Sequence, residues 1–149
     1  RGRHWHCNDW IVFKIPRDEL GENQMATSPL YYANVIDGVG YLSTANTNRD
    51  GSGTIVDIVT GGASRTTIER VEIKAVGNTS AGMVRLYLYT AATYRLIYET
   101  AVTLVVVDKS TPSFSVSVPI NINLASAEKL GASTEKGEPF VVAAFGGDY

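Results

Sequence analysis

Apolar and polar residues alternate with a period of two through much of the chain, the pattern of strands with one buried face. Val71, Ile73 and Ala75 alternate with Arg70, Glu72 and Lys74, which predicts a strand over 68–76. Phe114, Val116 and Val118 alternate with Ser113, Ser115 and Ser117, and Pro119 then either ends that ladder or places it at a sheet edge. Shorter β-prone runs cover 54–60, 102–107 (apolar on both faces), 130–133 and 140–145. Residues 125–129 fit a single helical turn. Residues 28–40 mix proline, glycine and tyrosine without period, which predicts an irregular lead-in followed by a short strand. Turn signals rich in Asn, Asp, Gly and Ser separate these runs at 46–53, 77–80 and 108–112, and a charged turn does so at 134–138. About eight strands without an amphipathic helix predict an all-β fold, an antiparallel β-sandwich of jelly-roll type.

The two runs richest in aromatic and β-branched residues, 82–89 and 94–99, predict a β-hairpin closed by a four-residue loop over 90–93. Pairing Tyr89 with Tyr94, Tyr87 with Leu96 and Arg85 with Tyr98 gathers four tyrosines, a leucine and an arginine on one face. Val84, Leu86, Leu88 and Ile97 share the other, an ordinary core face. The tyrosine face is too apolar to be simply solvated, whereas a small antiparallel domain usually wets one side of its sheet. A partner chain or an overlying segment is expected to cover it. Arg85, Tyr87, Tyr89, Tyr94 and Tyr98 are the expected contact residues, because buried interfaces favour tyrosine and arginine together.

At 149 residues the chain suits one domain with a single core. Its formal net charge of −2 supplies no basic field, so no nucleic-acid partner is expected. The apolar run 104–107 falls far short of the roughly 18 residues of a membrane span, and no membrane partner is expected. Residues 10–13 are too short an apolar run for a secretory signal. Residues 1–24 hold both histidines, both tryptophans and the only cysteine, and the composition changes at Met25. The expectation is that Met25 is the natural start of a domain over 25–149 and that 1–24 are an extension foreign to it. The alternative is an N-terminal arm that docks on a neighbour.

Chemistry is sparse. Asn46, Asn48, Asp50, Gly51 and Asp57 partly imitate a calcium loop, but only Asp50 and Asp57 carry charge and the bidentate glutamate is missing. A turn without metal is the expected reading. His4, His6 and Cys7 lie close together yet make an incomplete ligand set. From Met25 onward there is no histidine or cysteine, which removes Ser-His and Cys-His nucleophiles and His/Cys zinc sites. Asp50, Asp57, Glu69, Glu72, Glu99, Glu135 and Glu138 remain for a carboxylate pair, though they fall in turns or on outward strand positions. No enzyme activity, metal or cofactor is expected. Tyr87, Tyr89, Tyr94 and Tyr98 could also make a sugar-stacking platform.

The runs ANTNRDGSGTI from Ala45, AGMVRLYLY from Ala81, TYRLIYE from Thr93 and KLGASTEKGEPFVVAAFGGDY from Lys129 resemble a family of small tailed-phage and prophage proteins. The resemblance covers about residues 44–149. It implies virion association and supplies no catalytic residues. In the resembling sequences a glycine commonly sits in the hairpin turn, where this chain has Ala91-Ala92. The expectation is a virion structural protein, most simply a capsid decoration or cement subunit. Its expected partners are itself, in a cyclic homo-oligomer such as a trimer, and the major capsid protein or another virion protein. A receptor- or carbohydrate-binding module of a tail fibre is the alternative.

Overall fold

The computed structural model describes residues 32–149, which form strands β1 (Asn34–Leu42), β2 (Val56–Thr60), β3 (Thr66–Ala75), β4 (Gly82–Thr90), β5 (Thr93–Val102), β6 (Ser115–Leu124), β7 (Lys129–Thr134) and β8 (Phe140–Asp148). His4, His6, Cys7 and the boundary at Met25 lie outside the described residues. All strand pairings are antiparallel, in two four-stranded sheets of order β1-β8-β3-β6 and β2-β7-β4-β5. Every connection except β4–β5 passes from one sheet to the other. The pairs β1–β8, β2–β7, β3–β6 and β4–β5 are nested, so the chain is one long hairpin folded over on itself. The β3–β8 and β4–β7 ladders then join its arms. This is the jelly-roll winding of an antiparallel β-sandwich.

The period of two places the core. Ile68, Val71, Ile73 and Ala75 of β3, Val84 and Leu86 of β4, Val118 and Leu124 of β6, Leu130 and Ala132 of β7, and Phe140, Val142 and Ala144 of β8 are buried between the sheets. The phase of β3 changes between Ile68 and Val71 because Glu69 forms a bulge, with Ile68 opposite Gly146 and Arg70 opposite Phe145. Pro119 lies within β6 and not at its end; β6 is a sheet edge, where a missing N–H costs no ladder bond.

Four elements differ from expectation. Residues 34–42 make a nine-residue strand, not an irregular lead-in. Its inward positions are Ile36, Gly38, Gly40 and Leu42, and the two glycines hide the alternation; a Cβ on Gly38 would run into Val59 and the Ile58 backbone of β2. Of 102–107 only Val102 belongs to a strand. The chain beyond it pairs with the β3–β4 connection through an isolated bridge, Thr79 to Val105, while crossing to the other sheet, and Leu104 and Val106 stay exposed. Residues 125–128 form a turn closed by the Glu128 N–H on the Ala125 carbonyl (3.1 Å), with Ala127 at φ 68°, and Lys129 already opens β7, so there is no helix here.

The fourth is the hairpin turn. Thr90 pairs directly with Thr93, so the loop is the two residues Ala91 and Ala92, at φ 49° and 60°. Both occupy the left-handed region that a type I′ turn requires, where an L-residue with a Cβ loses roughly 1–2 kcal/mol. Replacing Ala91→Asn and Ala92→Gly together should therefore raise stability by about 1–2 kcal/mol. The check is a higher urea midpoint with an unchanged slope.

Candidate interaction surface

The hairpin register matches expectation at Tyr89–Tyr94 and Tyr87–Leu96, and then Ile97 bulges out. The slip of one residue sets Tyr98 opposite Leu86 and brings Glu99 opposite Arg85. Tyr98 thus leaves the tyrosine face, since such a slip reverses the side to which a residue points. It stands 40% exposed on the edge strand β5.

What covers the tyrosine face is the chain's own β1–β2 loop, residues 43–55. Arg85 and Tyr87 are buried beneath it, at 2% and 0% exposure. The Arg85 guanidinium donates to the Asn46 carbonyl (3.0 Å) and to the Glu99 carboxylate (2.7 Å), with Glu135 at 3.6 Å. Tyr87 donates its hydroxyl proton to the Asn48 carbonyl at 2.9 Å and receives one from Ser133 at 3.3 Å. Arg49 reaches down from the loop to the same Glu99 oxygen, at 2.9 Å. Gly51, at φ 87°, lies so close over the Tyr94 carbonyl that no Cβ would fit. Of the two expected covers, the overlying segment is the one present. Arg85 and Tyr87 therefore belong to the interior of the fold and offer no surface to a partner.

The calcium-like residues hold this loop together. Asn46, nearly buried, donates to the Ser52 and Thr54 carbonyls (2.9 and 3.0 Å) and accepts the Asn48 N–H (3.0 Å). Asp50 accepts from the Ser52 N–H (3.0 Å) and hydroxyl (2.6 Å). Asp57 is on β2, paired with Lys129 at 2.6 Å and hydrogen-bonded by Tyr94. No group of three or more potential metal ligands converges among the described residues.

At the open end of the loop Tyr89 and Tyr94 stay half-buried, their rings 4.8 Å apart, with Lys129 5.5 Å over the Tyr89 ring. Burial pushes the Asp57 carboxyl up, but the Lys129 and Tyr94 hydrogen bonds outweigh it and hold the group below its usual value. Burial and the Asp57 contact push the Tyr94 phenol up. The candidate carboxylates are committed elsewhere in the fold: Glu99 to two arginines, Glu69 to the Tyr32 hydroxyl (2.6 Å) and Glu138 to the Ser80 N–H (3.0 Å).

The other sheet also presents exposed apolar side chains. On the outward side of β1 stand Val35, Val39 and Tyr41, at 78%, 63% and 56% exposure. Register sets Val39 beside Ala143 and Tyr41 beside Val141. An open groove of about 530 Å³ runs from there past Glu72, Lys74 and Val76 to Ser113. Strand β1 is faint in the sequence because two of its inward positions are glycines, Gly38 and Gly40, between the outward Val35, Asp37, Val39 and Tyr41. The chain matches no protein-family model, and none of the curated proteins searched matches it.

Two outcomes follow from the covered face. Tyr87→Ser should cost about 3–5 kcal/mol in urea denaturation, whereas Tyr89→Ser should cost under about 1 kcal/mol. The Arg85 hydrogen bond, with Arg49 beside it, holds the Glu99 carboxyl below its ordinary value of 4.5 in the folded state. A carboxyl depressed on folding stabilises the protein above its unfolded value and loses that contribution as pH falls. Stability should drop as pH goes below about 4.5, and Glu99→Gln should remove part of the drop. Asp50, Asp57, Asp108 and Glu128, also depressed, keep the rest.

Proposed function

We propose that this chain is a structural protein of a phage virion, a capsid decoration or cement subunit that acts by burying surface. The observation that carries the reading is the apolar surface left uncovered among the described residues: Val35, Val39 and Tyr41 along β1, and Val76, Leu104 and Val106 at or beyond the ends of β3 and β5. Exposed apolar side chains grouped in this way are typical of surfaces meant for another protein. Two further points support it. Capsid domains are often jelly rolls, an analogy at the level of fold, and residues 44–149 resemble small proteins of tailed phages and prophages, a likeness that implies virion association. The partners proposed are further copies of this chain, in a closed ring, and the major capsid protein or another virion protein. Tyr89, Tyr94 and Tyr98 remain the exposed or half-exposed members of the contact set.

A second reading, a carbohydrate-binding module of a tail fibre, is favoured by the paired rings of Tyr89 and Tyr94 beside Asp57 and Lys129. Cryo-electron microscopy of purified particles with quantitative mass spectrometry separates the two. Density on the head with copies in proportion to capsomers is the expected outcome. A few copies at the tail tip would favour glycan binding, and absence from the particle would overturn both readings.

A further inference from the structure

The two sheets have four edge strands, and three of them are blunted against further pairing. Strand β2 is five residues long and slips register between Asp57 and Val59. Strand β5 carries the Ile97 bulge. Strand β6 contains Pro119 and a second irregularity with Asn121 at φ 47°. These are the ordinary devices that keep sheets from adding strands. Strand β1 has none of them: it pairs with β8 over nine consecutive residues without a shift, and it contains no proline or lysine. Its backbone is braced from within, because Gly38 packs directly on Val59 and Ile58. Among the described residues its other edge meets no strand.

We infer that β1 pairs antiparallel with β1 of a second copy about a twofold axis at Gly38, joining the two β1-β8-β3-β6 sheets into one of eight strands. That register pairs all nine residues. It sets Val35 opposite Tyr41 of the second copy and Asp37 opposite Val39, each twice by symmetry, on the outward face where Val35, Val39 and Tyr41 are exposed. Aromatic and β-branched side chains directly opposite one another are favourable cross-strand neighbours. A strand edge about 30 Å long and roughly 20 Å deep across the sandwich buries on the order of 600 Å² per copy. The total, about 1,200 Å², is the lower end of what a stable dimer needs, so the pair is a modest one that a larger assembly would reinforce. The contact is isologous and closes on itself, which spends the open edge that would otherwise invite aggregation. Such pairing deepens the assembly role proposed above. Because it is measured on the isolated protein, its failure would leave virion association to its own experiment.

The test is sedimentation equilibrium of the full chain from about 1 to about 500 µM, with thermal melts to show that each variant is folded. The wild type should dimerise with concentration. Val39→Asp places a carboxylate opposite Asp37 of the second copy, twice, and should weaken dimerisation about tenfold or more. Adding Asp37→Lys to it reverses the sign of both pairs and should restore the dimer, with a gain that shrinks in high salt. Should Val39→Asp not fold, the reversed set serves: Val39→Lys keeps the dimer and Val39→Lys with Asp37→Lys loses it. A wild type that stays monomeric throughout, or a dimer that ignores the sign of these charges, overturns the inference.

Discussion

The guanidinium of Arg85 is the constraint around which half of this molecule is arranged. A charge buried in a β-sandwich is tolerable only when it is paired and its donors are used. Here the Glu99 carboxylate and the Asn46 carbonyl satisfy it. Both partners come from elsewhere in the chain. Glu99 reaches the site because Ile97 bulges from β5, and Asn46 because the β1–β2 loop folds across the sheet. The loop in turn brings the Asn48 carbonyl to Tyr87, and Asn46 binds it internally through Ser52 and Thr54. Bulge, loop and buried tyrosine are thus one cooperative unit.

The winding of the chain explains why that unit sits where it does. In a nested hairpin the β4–β5 turn is the tip, and β1 and β8 are the ends of the arms. The β1–β2 segment must pass from one sheet to the other, and on its way it crosses the outward side of β4. One sheet is therefore covered by its own chain over Arg85 and Tyr87 as well as on its core side. Among the described residues the other keeps an open outward face and an unblunted edge at β1. The asymmetry puts the exposed apolar side chains of β1, Val35, Val39 and Tyr41, on the sheet opposite to the tyrosines.

Much of the core was legible from the residues alone. The alternation through β3 and β6 required only that one side be buried, and the jelly-roll class followed from the number and spacing of strands. The contact set was legible in part. Arg85, Tyr87, Tyr89 and Tyr94 do share a face, but nothing local could tell that residues 43–55 would close over the first two. Tyr98 was misplaced because a bulge leaves no mark in a run such as Arg95-Leu96-Ile97-Tyr98. Residues 102–107 misled for a related reason, since an apolar run becomes a strand only when a neighbouring strand is within reach.

By itself, then, the sequence determined the period of two, the turns, the apolar inventory and the need to cover the tyrosine-rich face, because these depend on residues near in the chain. Only the tertiary structure decided which segment covers that face, where each ladder slips, and that β1 is a strand with an open edge. Those outcomes depend on which segments meet across the sandwich. Gly38 shows the difference: alone it weakens a strand, yet its missing side chain is what lets β1 lie against Val59 and Ile58 and complete the sheet.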